Sequence, residues 1–136
     1  IFHEQFKPLW LGSSEGWHGG SHDDAVNFCN SVRGKTLCPY TAMCPNGAGH
    51  AAMGGRHQLT FHTNGEQYAP VMGGNNQWVM IGTKDGKEET TCMTHRQLEG
   101  KAPIWGLNTD RSEMKQHIMC CTDPNNYYNS CDVYYA

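Results

Sequence analysis

The sequence predicts an α+β fold: a single disulfide-rich domain with one main N-terminal helix, short antiparallel strands and long loops. Three observations lead to this prediction. The 136 residues include seven cysteines, which is typical of small secreted domains that are cross-linked by disulfides. One segment near the N-terminus has a helical pattern with capping signals. The other apolar segments are short and are separated by glycine-containing turns.

The helix is predicted over residues 22–33. Ser21 is the candidate N-cap, and Asp23 and Asp24 follow in the first turn, where carboxylates meet free backbone amides. Gly34 stands just past the predicted end, where glycine commonly ends a helix. One face of this helix is apolar, and we expect it to pack on the core. Its residues are Ala25, Val26, Phe28, Cys29 and Val32.

Extended segments are predicted at residues 9–11, 57–62, 77–82 and 115–121. Segment 77–82 is an apolar run with the length of a buried strand, and segment 115–121 has the character of a last core strand. Turn signals separate these segments, because glycine tolerates the positive φ that many turns require. Together with the helix they predict an α+β domain.

The cysteine-rich domain is predicted to cover residues 1–122, and residues 123–136 form a C-terminal tail. The tail holds four of the six tyrosines, together with three asparagines. We expect it either to form an adhesive or sugar-stacking surface or to be a simple extension of the domain.

The adjacent cysteines of the last strand predict two different disulfide partners. Successive residues of a strand point to opposite faces, so Cys120 and Cys121 cannot both face the helix. Cys29 lies on the apolar helix face, and we expect it to pair with Cys120.

The remaining cysteines allow more than one arrangement. Cys38 and Cys44 bracket a five-residue loop and are predicted to pair with each other, whereas Cys121 is predicted to pair with Cys131 or Cys92. Because seven is an odd number, one thiol is expected to be free or bonded outside this segment. Zinc binding is the weaker interpretation, because these spacings are unlike paired Cys-x2-Cys motifs.

Charge and hydropathy exclude several classes of protein. Lys and Arg number 10 against 13 acidic residues and are scattered, so no basic patch for nucleic acid is present. No apolar run approaches the roughly 20 residues of a transmembrane helix. Phosphate-binding and Gly-x-Ser-x-Gly motifs are absent from the sequence. We therefore expect no nucleic-acid partner, no transmembrane segment and no catalytic residues.

A histidine and carboxylate cluster stands at the start of the predicted helix. His18 and His22 are four residues apart, and with Asp23 or Asp24 they form a candidate metal or acid–base site. Gly19 and Gly20 place His18 before the helix, so a capping region with an ordinary loop is the alternative. We expect no cofactor, with a divalent metal at this cluster as the alternative.

The residues predicted to bind a ligand share loop positions and side chains suited to sugars. Aromatic rings stack on sugar rings, and amides and carboxylates bond to hydroxyls. The alternative role for the one tryptophan among them is core packing. These residues are Trp105, Asn108, Asp110, Asn75 and Asn76.

Four segments resemble a C-type-lectin-like domain, and the resemblance covers residues 17–121. They are 25–29 (Ala-Val-Asn-Phe-Cys), 34–38 (Gly-Lys-Thr-Leu-Cys), 76–82 (Asn-Gln-Trp-Val-Met-Ile-Gly) and 118–121 (Ile-Met-Cys-Cys). The resemblance implies that the helix cysteine pairs with one in the last strand and that segment 76–82 forms the central strand. The family's calcium and sugar signature, Glu-Pro-Asn or Gln-Pro-Asp followed by Trp-Asn-Asp, is absent from this sequence.

A second resemblance spans most of the chain. Segments 37–47, 105–107 and 117–121 are similar to a cysteine-rich module of secreted or surface proteins from diatoms and related algae. This resemblance implies an extracellular setting and no particular reaction.

These observations predict a secreted or cell-surface, non-catalytic module that binds carbohydrate or another extracellular polymer. The first alternative is a structural subunit of an extracellular assembly, joined through the odd cysteine or the tail. The second is a metal-dependent enzyme that uses His18 and His22. The expected partner is an extracellular glycan or polymer, or copies of the chain itself.

Overall fold

The computed structural model describes residues 6–53 and 65–122 and has the predicted α+β architecture, with few helices and short antiparallel strands. The predicted strand at 57–62 and the tail at 123–136, with Cys131, lie outside the described residues. In chain order the elements are β1 (Leu9–Leu11), α1 (His22–Asn27), β2 (Thr36–Leu37), α2 (Tyr40–Met43), β3 (Tyr68–Pro70), β4 (Trp78–Met80), α3 (His95–Glu99) and β5 (Ile118–Cys121). Short 3-10 turns cover Ser13–Glu15, Glu88–Thr90, Ile104–Leu107 and Ser112–Met114.

Strand β5 is the centre of a three-stranded antiparallel sheet of order β1-β5-β2. Cys120 lies opposite Leu9 on one side and opposite Leu37 on the other. All four residues of β5 are buried, which explains why this segment is an unbroken apolar run. Strands β3 and β4 form a separate antiparallel pair, with Tyr68 opposite Met80.

The alternation of side chains along β5 divides the core. Ile118 and Cys120 pack in the cluster beneath α1, whereas Met119 and Cys121 pack in the cluster on the opposite face. The two adjacent cysteines therefore serve two different clusters, as the period of a strand predicts.

The helix begins where the sequence predicts. The Ser21 hydroxyl accepts a hydrogen bond from the Asp24 amide at 3.1 Å, and the Asp24 carboxylate accepts one from the Ser21 amide at 2.9 Å. This reciprocal capping box satisfies two backbone donors that α1 leaves free. After Asn27 the chain continues as one wider π-helical turn, Phe28–Val32, so helical structure covers residues 22–32 of the predicted 22–33 and is α-helical only in its first half. The wider turn keeps both Phe28 and Cys29 buried.

The described residues contain three disulfides, of which Cys29–Cys120 was predicted and is confirmed. The predicted Cys38–Cys44 pair is wrong, because Cys38 is bonded to Cys121. The reason is β2, which the sequence did not predict. Its pairing of Thr36 with Cys121 brings the next cysteine of the chain alongside the end of β5.

The predicted partners of Cys121, Cys131 or Cys92, are likewise wrong. Cys92 is bonded instead to Cys44, with a Cα–Cα distance of 5.9 Å. Helix α2 fills most of the segment between Cys38 and Cys44 and carries Cys44 into the cluster that also contains Cys92.

Within the described ranges, no helix is long and apolar enough to cross a membrane.

Candidate functional site

A surface groove runs past the loop that precedes α1, and we name it the His18 groove. It consists of two adjoining depressions of about 580 and 510 Å³. Both are lined by Trp17, His18 and Ser112. The other lining residues of the first are Gly16, Gly19, Gly20, Asp24, Asn27, Phe28, Ser31 and Thr109, and those of the second are Ser13, Glu113, Gln116 and His117.

Two glycines build the wall that carries His18. Gly19 has φ +84°, and a Cβ there would lie 2.9 Å from the Ser112 carbonyl oxygen. A Cβ on Gly20 would lie 2.5 Å from the Asp24 carboxylate. Only glycine at both positions therefore allows the loop to lie this close to Ser112 and Asp24. The loop leaves His18 exposed at the junction of the two depressions.

Trp17 forms the aromatic floor with Phe28. Its indole nitrogen donates a hydrogen bond to the Lys115 carbonyl oxygen at 2.8 Å, and its ring centroid lies 5.7 Å from that of Phe28. Both side chains are buried, so only a small part of each ring is accessible from the groove.

Lys115 lies behind the groove with no exposed surface. Its ammonium donates hydrogen bonds to the carbonyl oxygens of Trp105 at 2.8 Å and Asn108 at 3.0 Å. The same nitrogen lies 5.6 Å and 5.5 Å from the ring centroids of Trp78 and Trp105. Burial lowers the pKa of Lys115, and the nearby carboxylates of Asp110, Asp24 and Glu113 oppose this effect.

The charge of the groove is slightly negative. Asp24 and Glu113 are its acidic lining residues, and no Lys or Arg is among the described residues that line it. A hydrogen bond from Arg111 at 2.8 Å lowers the pKa of the Glu113 carboxyl and partly neutralises its charge. Both partners are exposed, so water and salt screen this pair.

His117 makes the stability of the domain depend on pH, because burial lowers the pKa of its imidazole. The unfolded chain takes up the proton near pH 6.5, before the folded protein does, so stability falls as the pH drops below about 6.5. We expect His117→Gln to reduce this loss and the exposed His50→Gln to retain it. Urea denaturation at neutral and mildly acidic pH measures the effect. An equal loss of stability in wild type and His117→Gln would contradict it.

The structure brings two of the predicted ligand residues together in an aromatic cluster. The Asn76 side-chain oxygen accepts a hydrogen bond from the Trp78 indole at 2.7 Å, and its amide nitrogen donates to the Pro103 carbonyl at 2.7 Å. The Trp105 ring is partly buried, with its centroid 5.2 Å from Tyr68 and 5.1 Å from Trp78. Core packing, the alternative role, therefore accounts for much of this ring, and a ligand role for it stays a prediction.

The other predicted ligand residues lie on the nearby surface. The Asn108 side chain accepts a hydrogen bond from the Asp110 amide at 2.7 Å, and the Asn75 carbonyl accepts one from Arg96 at 3.3 Å. None of the five predicted residues lines the His18 groove, although Thr109 does. Their ligand role also stays a prediction.

The predicted metal residues are separated. His22 is buried, with its Nε2 atom 2.8 Å from the Val71 carbonyl oxygen, whereas His18 is exposed in the groove. Asp23 is exposed, and Asp24 caps α1. Throughout residues 6–53 and 65–122, no three His, Cys, Asp or Glu side chains are grouped closely enough to hold a metal ion. A metal at this cluster stays a prediction, and the described residues supply no complete set of ligands for it.

Sequence reasoning missed Trp17, Ser112 and Thr109 as groove residues because they belong to loops or to the start of a short 3-10 turn, which periodicity does not describe. Lys115 gave a usable signal, since a charged residue inside a predicted core strand requires polar partners. The Gly19-Gly20 pair was a second signal, because consecutive glycines mark a close approach of the backbone.

The chain matches a known protein family. The family model described as Domain of unknown function (DUF7495) matches residues 9–123, more than half of the chain. No curated protein and no solved structure matches the chain significantly. The chain therefore belongs to the DUF7495 family.

Proposed function

We propose that this domain is a secreted or cell-surface, non-catalytic module that binds an uncharged carbohydrate chain in the His18 groove. The observation that carries the proposal is the groove itself. Each of its two adjoining depressions, about 580 and 510 Å³, has the volume of a small-molecule site. Because they adjoin, they suit an elongated ligand better than a compact one.

The lining chemistry supports a sugar ligand. Ser31, Thr109 and Ser112 offer hydroxyls, and Asn27 offers an amide. Each of these groups both donates and accepts hydrogen bonds, as sugar hydroxyls do. Trp17 and Phe28 add apolar surface for the carbon-bound hydrogens of a sugar ring.

The charge of the groove supports an uncharged ligand. A sulfated or carboxylated chain would approach the carboxylates of Asp24 and Glu113, and no cationic side chain is among the described lining residues. Like charges brought together on binding weaken affinity, so anionic chains are selected against.

The covalent structure supports the proposed setting. Three disulfides support folding in an oxidising compartment, as for secreted and cell-surface domains. The sequence resemblances to C-type-lectin-like domains and to an algal surface module support the same proposed setting.

A bulky residue in the groove tests the proposal. Ser31 is an exposed lining residue, and its neighbour Asn30 is exposed but does not line the groove. We expect Ser31→Trp to weaken binding by at least about tenfold, equal to about 1.4 kcal/mol, because the indole occupies the ligand's space. The matched control Asn30→Trp is expected to bind as wild type does.

The probes are linear hexasaccharides of glucose, mannose, xylose and N-acetylglucosamine, with a sulfated hexasaccharide as the anionic counterpart. Titration calorimetry measures each affinity. Binding of at least one neutral probe, weaker binding of the sulfated one and a selective loss in Ser31→Trp support the proposal. No binding across the panel, or equal affinity in the two tryptophan variants, overturns it.

A further inference from the structure

Lys115 contacts one lining residue of the His18 groove and the residue that precedes another. Its backbone carbonyl oxygen accepts the hydrogen bond from the Trp17 indole at 2.8 Å. Its ammonium donates hydrogen bonds to the carbonyl oxygens of Trp105 and Asn108, with N···O distances of 2.8 Å and 3.0 Å. Trp17 lines the groove, and Asn108 immediately precedes the lining residue Thr109.

Full burial of a lysine requires compensation. An ammonium without water loses several kcal/mol of hydration unless hydrogen bonds or charges replace it. Here two carbonyl oxygens accept its protons and two indole rings lie within about 6 Å, the range of cation–π attraction. An apolar side chain would avoid this cost, but it would not hold the two carbonyl groups by directional bonds.

We propose that Lys115 is a positioning residue that sets the separation between Trp17 and the loop that carries Thr109. The inference rests on the proposed function, since a fixed separation matters only if a ligand contacts both of these lining residues. The two attachments are chemically different. The position of Trp17 depends on the backbone of residue 115, whereas that of the loop before Thr109 depends on its side chain.

This difference makes Lys115→Met a sharp test. Methionine is of similar length and suits an apolar environment, so the buried space stays filled while the ammonium is lost. The backbone carbonyl that holds Trp17 is unchanged. We therefore expect the backbone amides of residues 106–110 to exchange with deuterium at least about tenfold faster, because this loop opens locally. Exchange at the Trp17 indole N–H is expected to stay at the wild-type rate.

The control is Lys101→Met, which removes an exposed lysine and is expected to change neither rate. If Lys115→Met does not fold, Lys115→Gln keeps a donor on a shorter side chain and is expected to give a smaller rise confined to the same loop. An unchanged loop, or an equal rise at the Trp17 indole, would overturn the positioning role and indicate a general stabilising one.

Binding gives the second measurement. Lys115→Met is expected to weaken binding of the neutral hexasaccharide that wild type binds best by about tenfold, while Lys101→Met leaves it unchanged. If affinity is unchanged in Lys115→Met although the amides of residues 106–110 exchange faster, the proposal that Lys115 positions groove residues for the ligand is overturned. If no hexasaccharide binds wild type, the proposed function fails, and hydrogen exchange still decides whether Lys115 holds the loop.

Discussion

Replacement of Cys44 and Cys92 together by alanine is expected to lower the free energy of unfolding by about 4 kcal/mol. This disulfide joins residues 48 positions apart, so its removal releases a long loop in the unfolded chain. A domain of this size has a total stability of about 5–15 kcal/mol, so the variant is expected to lose a large share of it. Urea denaturation followed by tryptophan fluorescence measures the loss.

The matched control is removal of Cys29–Cys120, whose sulfur atoms are equally buried. Its sequence separation of 91 is larger, yet we expect a smaller loss, about 3 kcal/mol. The reason is that the neighbouring disulfide Cys38–Cys121 remains in this variant and joins the same two parts of the chain. Cys38 is nine residues after Cys29, and Cys121 is next to Cys120. The loop that Cys29–Cys120 closes in its presence is therefore short. A loss below about 1 kcal/mol without Cys44–Cys92 would contradict this account.

Gly106→Ala is expected to destabilise the domain by about 3 kcal/mol, through overpacking and the loss of a buried hydrogen bond. A Cβ at this position would overlap the Asn76 side-chain oxygen and the Trp78 indole nitrogen. Those two atoms are the partners of a hydrogen bond, so the clash falls on the bond itself. Thermal denaturation followed by near-ultraviolet circular dichroism reports both the stability and the packing of the tryptophans.

Gly65→Ala is the control for this substitution. A Cβ on Gly65 meets nothing within 4 Å, and its φ lies outside the left-handed region, as does that of Gly106. We expect it to leave the melting temperature unchanged. Equal melting temperatures for Gly106→Ala and wild type would contradict this prediction, because they would show that the Asn76 side chain can move aside with no loss of stability.

The covalent structure and the groove are connected. Helix α1 and the turn that follows it supply Asp24, Asn27, Phe28 and Ser31 to the groove, and Cys29 ties this turn to β5. Lys115 lies three residues before β5 and holds the Asn108 carbonyl, next to the lining residue Thr109. Lining residues from two parts of the chain are therefore attached to the central strand or to the segment that leads into it, which gives the proposed binding site a rigid support.

Local patterns in the sequence were enough for the elements that depend on neighbouring residues. Ser21 and Asp24 determine where α1 begins, because a capping box involves residues only three positions apart. The alternation along β5 separates Cys120 from Cys121, because the period of a strand is a local property. The Cys29–Cys120 bond was expected from this alternation together with the apolar face of the helix, and the α+β class from the helix and the short extended segments.

The sequence by itself thus determined the fold class, the start of the helix and one disulfide. Only the tertiary structure decided the partners of Cys38 and Cys44, since β2 is two residues long and forms by pairing with a strand more than 80 positions away. The groove has the same origin, because Trp17, Thr109 and Ser112 are distant in sequence and meet through one buried lysine and two glycines. Hydrogen bonds and packing between such distant segments leave no periodic trace in the chain, and so the folded structure alone reveals them.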